Sequence, residues 1–175
     1  QRIEDMHKAG IQNIMALRGD IPESMMNDDR SKWDYRYAID LIREIKSLHY
    51  DFCIGAACYP EIHPESENQK EDIKGLKEKV DAGCSFLTTQ MFFDNARYFS
   101  FVERCRAAGI TVPIIPGIKP LTSLTQKALL PKTFHIDLPM ELARELCRCE
   151  SNDDVKSLGV EWGVQQAREL KQAGV

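Results

Sequence analysis

The chain has 175 residues, 43% hydrophobic and 29% charged, with 27 acidic against 23 basic side chains and a formal net charge of −4. That length carries one domain with a full core, and the interleaved, mildly acidic charge gives no case for nucleic acid or an anionic membrane as partner. No apolar run approaches the roughly 18 residues of a membrane span, and the opening residues do not read as a secretory signal.

The six cysteines are Cys53, Cys58, Cys84, Cys105, Cys147 and Cys149, and none forms a Cys-x-x-Cys pair. Cys53, Cys58 and Cys84 lie in apolar stretches and read as small core residues. Cys147-x-Cys149 has no matching Cys/His pair at zinc spacing, so no metal is expected. A reducing, cytoplasmic compartment fits this usage.

In chain order, a helix ends over Met6–Gly10, and the motif that closes it recurs. Ala9-Gly10, Ala82-Gly83, Ala108-Gly109 and Ala173-Gly174 each follow a helical pattern, as glycine caps do. Apolar runs follow, predicting strands near 13–17, 52–58, 85–89 and 113–117. They are continuous rather than alternating, as in a sheet covered on both faces. Between them, Ala38, Leu41, Ile42, Ile45 and Leu48 hold one helical face; so do Ile73, Leu76 and Val80, then Tyr98, Phe101, Val102 and Cys105 with Asp94 as N-cap. A last helix is predicted over 153–173, acidic at its start and with Lys171 near its end, to suit the dipole.

Strand–helix alternation predicts an α/β fold with a parallel sheet and right-handed crossovers. A complete eight-stranded barrel takes about 250 residues, so about four consecutive βα units make a partial (β/α)8 TIM barrel. The chain opens on a helix end and closes on Ala-Gly-Val, the signal that announces strands elsewhere. One incomplete catalytic domain over 1–175, lacking strands on both sides, is therefore expected.

A parallel barrel builds its site from the loops after its strands. Here these are Arg18-Gly19-Asp20, Cys58–Pro64, Thr88–Asp94 and Pro116–Pro120. Gly19 permits a sharp turn or close ligand approach, Arg18 offers a planar fork of donors, and Asp20 places a carboxylate at the crevice. His63 between two prolines reads as a solvated loop residue or a ligand contact, and Phe92 and Phe93 as core or a stacking platform. Gln90 ends an apolar strand, where an amide needs partners, and it suits an amide-like edge such as a pterin or flavin ring.

Four stretches, Asn13–Asp20, Tyr59–Pro64, Thr89–Asp94 and Pro116–Pro120, in this order and spacing, resemble the methylenetetrahydrofolate reductase family over nearly the whole chain. The resemblance implies a flavin-containing (β/α)8 barrel that reduces 5,10-methylenetetrahydrofolate to 5-methyltetrahydrofolate. It implies FAD as cofactor and NADH or NADPH as hydride donor, the two substrates taking turns in ping-pong fashion. It further implies that Leu17, Arg18, Gly19 and Asp20 line the flavin, with Asp20 also facing folate and acting in catalysis. Tyr37, Ala38, Ala57, Tyr59 and His63 continue that surface, Asp72 and Lys79 reach the ribityl and diphosphate part, and Gln90 and Gln126 contact the substrate. The family's general acid, a glutamate on the first strand, lies outside this sequence, and an aromatic contact is replaced around Leu129-Leu130. The 175 residues alone are expected to be inactive, and a homo-oligomer is expected for the whole. Two rivals stay open: an aldolase- or isomerase-type barrel, for which Lys119 is the one candidate amine, and a non-catalytic α/β binding module.

Overall fold

The computed structural model describes residues 2–175. Gly10, Gly83, Gly109 and Gly174 all adopt positive φ, between 78° and 113°, just past helix ends, which is the left-handed cap the repeated Ala-Gly pairs predict. The helices they close are α1 (Arg2–Lys8), α3 (Gln69–Asp81), α4 (Asn95–Ala107) and α7 (Asn152–Gln172). Helix α2 (Ala38–Ser47) closes without a glycine: His49 takes the left-handed conformation at φ 56°. At the other ends, Asn68 and Asp94 accept backbone N–H groups as N-caps of α3 and α4. Ser151 and Asp154 form a reciprocal capping box at the start of α7.

Between the helices run β1 (Asn13–Ala16), β2 (Cys53–Cys58), β3 (Phe86–Thr89) and β4 (Ile114–Ile115). They form one parallel sheet in the order β1-β2-β3-β4, the arrangement of four consecutive βα units of a (β/α)8 barrel. The first three strands fall where the apolar runs predict. The fourth is shorter than its run, because Pro113 and Pro116 flank it and neither has an N–H for the ladder.

One sheet face is buried. Ile54, Ala56, Cys58 and Leu87 meet Ile42, Ile45, Ile73, Leu76, Tyr98, Phe101 and Cys105 from α2, α3 and α4 in the main core. The helical stripes thus bury their central residues, while Ala38, Leu41, Leu48, Val80 and Val102 of the predicted faces are only partly covered. The other face, which a closed barrel turns inward, leaves Met15 39% and Ile115 46% exposed. On it Gly55 lies between the Met15 and Phe86 side chains, where a Cβ would collide with both.

A second apolar cluster forms under α5 (Gln126–Phe134), α6 (Met140–Arg148) and α7, from Met91, Phe93, Leu121, Leu130, Ile136, Leu142, Leu146 and Val155. Neither α5 nor α6 is predicted above. Pro131 inside α5 masks it as a helix, whereas Leu142 and Leu146 give α6 a legible i, i+4 stripe. Helix α7 begins and ends within one residue of its expected bounds and crosses close over the chain at Leu121, where Gly159 meets the Leu121 backbone.

Two glycine substitutions should therefore act in opposite directions. Gly159→Ala gains about 1 kcal/mol of helix propensity, but its methyl presses into the Leu121 peptide, and overpacking costs about 1–3 kcal/mol. Gly75→Ala in α3 meets nothing within 4 Å and keeps only the propensity gain. Urea unfolding should show the midpoint lowered by Gly159→Ala and raised by Gly75→Ala; the reverse order would contradict this packing.

Candidate functional site at the carboxyl edge of the sheet

Where β1 ends, Leu17–Asp20 turn away from the sheet. Gly19 has φ 79°, yet a Cβ there would meet nothing within 4 Å, so the glycine answers a torsional demand rather than a crowded one. Arg18 donates through Nη1 to Glu65 Oε2 at 2.8 Å, and Arg30 donates to Glu65 Oε1 at 3.1 Å. Glu65 thereby ties the loop after β1 to the loop after β2. Burial works against its charge, but the hydrogen bond and charge of Arg18, then Arg30, outweigh that and hold Glu65 below the usual glutamate range. Asp20 is exposed at the rim.

After β2, the rings of Tyr59 and His63 meet edge to face with centroids 4.6 Å apart. His63 Nδ1 accepts the Glu65 N–H at 3.1 Å, which fixes that nitrogen as unprotonated. Burial pushes the imidazole's pKa down, against the raising influence of Glu65 and Asp72. The residue is half-buried in the wall of a cleft, so the solvated-loop reading gives way to a neutral, positioned histidine. Asp72 on α3 explains the turn: its carboxylate accepts the His63 N–H at 3.3 Å and the Ser66 hydroxyl at 3.1 Å. Further along α3, Lys79 Nζ donates to the Ala57 carbonyl at 3.3 Å. Burial lowers the lysine's pKa, with Asp72 opposing. Burial also pushes the Cys58 thiol far up, which leaves it a core residue and not a nucleophile.

After β3, the Gln90 N–H continues the ladder to the Cys58 carbonyl at 2.8 Å, and its side-chain Oε1 accepts the Met91 N–H at 3.0 Å. The oxygen is thus occupied and the amide NH₂ is left as a donor. Phe92 and Phe93 are core: Phe92 stacks on Tyr98 at 5.3 Å, and both rings are almost fully buried. Their carbonyls accept Gln166 Nε2 at 2.9 Å and Trp162 Nε1 at 3.0 Å from α7. Thr89 Oγ1 accepts the Gly117 N–H at 2.8 Å, joining the loop after β4 to the end of β3.

These loops enclose a cleft of two adjoining lobes, each about 430 Å³, that share Tyr37, Ala57, Tyr59, His63 and Lys79. Leu17, Arg18, Gly19, Asp20, Ala38 and Gln90 line one lobe and Asp72 the other. Gln126 does not join them: it opens α5 and its Oε1 accepts the Thr122 N–H at 2.7 Å. Lys119 lies exposed on its loop. Sequence reading missed Glu65 and Arg30, whose partners lie 47 and 35 residues apart in the chain; a surface-type Glu in a polar stretch carries no local signal of that pairing.

A parallel βα sheet with a cleft at its carboxyl edge, lined by several carboxylates including Asp20 and Asp72, by the part-buried Lys79 and by the oriented Gln90 amide, has the arrangement of an α/β barrel, a class that builds its sites at that edge. The family model described as methylenetetrahydrofolate reductase matches residues 1–175, and the chain belongs to that family. It is 39% identical over 176 residues to methylenetetrahydrofolate reductase 2 of Saccharomyces cerevisiae, covering 98% of this chain and 29% of that protein. It is 35% identical over 172 residues to 5,10-methylenetetrahydrofolate reductase of Escherichia coli, covering 98% of this chain and 56% of that protein. The chain thus spans about half or less of the length of these relatives. The fold is also that of a solved Clostridium thermocellum protein described as binding two copies of 5-methyl-5,6,7,8-tetrahydrofolic acid, at TM-score 0.58 and 21% identity over 77% of this chain and 46% of that one.

The neutral His63 makes a pH prediction. Its folded pKa lies below the unfolded value of about 6.5, so the unfolded state takes up the proton more readily. The stability this group contributes is complete above about pH 6.5 and falls as the pH drops below it. Denaturant midpoints between pH 8 and 5 should therefore decline more steeply in the native protein than in His63→Gln, and parallel curves would show that the ring is not held neutral.

Proposed function

We propose that the chain forms the flavin- and folate-binding part of a methylenetetrahydrofolate reductase. In the whole protein it takes part in reducing 5,10-methylenetetrahydrofolate to 5-methyltetrahydrofolate with NADH or NADPH as donor, and residues 1–175 are one incomplete catalytic domain of it. The observation that carries this reading is the convergence of Leu17–Asp20, Tyr37, Ala38, Ala57, Tyr59, His63, Asp72, Lys79 and Gln90 on one two-lobed cleft.

The residues suit FAD. Lys79 spends one hydrogen bond on a carbonyl and keeps donors for a phosphate, and two joined lobes suit a ligand with a ring at one end and a diphosphate toward the other. Leu17, Arg18, Gly19, Tyr37, Ala38, Ala57, Tyr59 and His63 would hold it on the sheet side, with Asp72 and Lys79 beyond. Bound there, FAD supplies the hydride chemistry. The chain's own contribution is position and charge. Gln90, its oxygen fixed by Met91, directs amide donors at acceptors on the pterin. Asp20 sets a negative charge at the rim, where it stabilises the cation that forms when the folate methylene bridge opens. Asp72 works indirectly, by fixing the His63–Ser66 turn.

A bound-flavin absorbance spectrum on the complete protein is the first test, because neither an aldolase-type barrel nor a simple binding module shows one. Asp20→Asn is the second. It keeps shape and removes charge, and losing one preorganised electrostatic group costs about 10²–10³ in rate. Stopped-flow should show folate turnover slowed by that order, with flavin reduction by nicotinamide far less affected. Equal slowing of both steps, or of neither, would make Asp20 a turn residue only.

A further inference from the structure

Glu61, in the Tyr59–Pro64 stretch, is a half-buried carboxyl that does not line the cleft and has no role in the reading above. Its Oε2 accepts the Asp137 N–H at 3.0 Å, from the segment joining α5 to α6. Its Oε1 is buried and has no hydrogen-bond partner among the described residues. Beside it is a cavity of about 10 Å³ bordered by Tyr59, Gln90, Met91, Phe134 and His135, close to the least space that holds one water. Tyr59 and Gln90 also line the ligand cleft. They are therefore a partition, with the cleft on one side and the Glu61 carboxyl on the other.

That placement gives the carboxyl a choice of states with different consequences. A buried carboxylate oxygen without a donor is costly, and there are two ways to relieve it. The group can hold a proton, which leaves the partition undisturbed. Otherwise it recruits a donor, and Gln90, whose side-chain oxygen is taken by the Met91 N–H and whose amide NH₂ is the donor it has to offer, borders the same cavity. We propose that Glu61 is a positioning residue for the folate-facing wall: neutral, it leaves the Gln90 amide to the ligand, and ionised, it competes for that amide from behind. The inference rests on the reading of the cleft as a folate site.

The surroundings place the switch in the physiological range. Burial raises the Glu61 pKa most; the Asp137 amide bond lowers it, the Asp137 carboxylate raises it, Arg97 lowers it and Asp94 raises it, leaving it at about 7. Arg97 is itself paired with Asp137 at 3.3 Å, which blunts both. Asp94 and Arg97 face the group from α4, and Asp137 and His135 from the segment after α5. Folate should bind more tightly below the titration and more weakly above it.

The test is fluorescence titration of the complete flavin-loaded protein with 5-methyltetrahydrofolate from pH 6 to 8.5, for the native form and Glu61→Gln. The native dissociation constant should rise about tenfold with pH, the scale of one hydrogen bond to a charged group, whereas Glu61→Gln should hold the tight value throughout. The side-chain amide resonance of Gln90 in glutamine-labelled native protein, identified by its loss in Gln90→Glu, should shift with the same midpoint. No binding at any pH overturns the functional reading and this inference with it. Binding whose pH dependence is the same in both forms, or a Gln90 resonance that does not titrate, overturns the inference alone.

Discussion

The register of β2 against its two neighbours is the constraint on which the rest of the molecule depends. Ala16 opposite Ala56 and Cys58 opposite Thr89 bring three strands to an end along one edge, so the loops that follow them open side by side. Gly55 suits that register on the inner face, since a Cβ there would push the ends of the Met15 and Phe86 side chains aside. The same ladder reaches one step past the strands, where the Gln90 N–H meets the Cys58 carbonyl. A slip of one residue would reverse the face of every β2 side chain and scatter the cleft.

On that edge, charge is arranged by pairs that hold loops rather than by a concentration of reactive groups. Glu65 spans Arg18 and Arg30, and Asp72 grips the His63–Ser66 turn. The Glu65 ion pairs keep their polar atoms within reach of solvent, where a single exposed ion pair contributes only about 0–1 kcal/mol, and the Asp72 contacts are hydrogen bonds to a backbone N–H and a hydroxyl. Their value is geometric: each fixes a loop that local propensity would leave free. Asp20 and Lys79 are left with unspent charge facing the cleft, which is the condition for meeting a ligand.

Much of this was legible in the sequence, for reasons that are local. The Ala-Gly caps mark helix ends by backbone torsion alone, and continuous apolar runs mark the strands, although within these residues only one sheet face is covered and Met15 and Ile115 on the other stay exposed. Residues just past those runs, from Leu17–Asp20 to Gln90, follow from strand position. What stayed hidden depends on distant partners or on contradictory local signals. Glu61 and Glu65 look like ordinary solvated acids until the chain folds, and Pro131 speaks against the helix that contains it. Pro113 and Pro116 trimmed a strand whose apolar run looked longer. The motif match marks Gln126 as a substrate contact, but in the fold its oxygen caps the Thr122 loop and its side chain stays off the cleft wall.

The stretch Met91–Phe93 is stitched between two cores: Phe92 enters the one beneath the sheet, while Met91 and Phe93 enter the one under α5–α7. Two such clusters can open as separate cooperative units, each with its own free energy and its own hydrogen-exchange rate. Gln90 lies on the seam between them, while Lys79 and Asp72 belong wholly to the sheet side. A transient opening of the helical unit would therefore loosen the Gln90 wall while the Asp72–Lys79 end of the cleft stays formed. The two lobes of the cleft thus rest on different cores, and they differ in the order in which the chain comes apart around them.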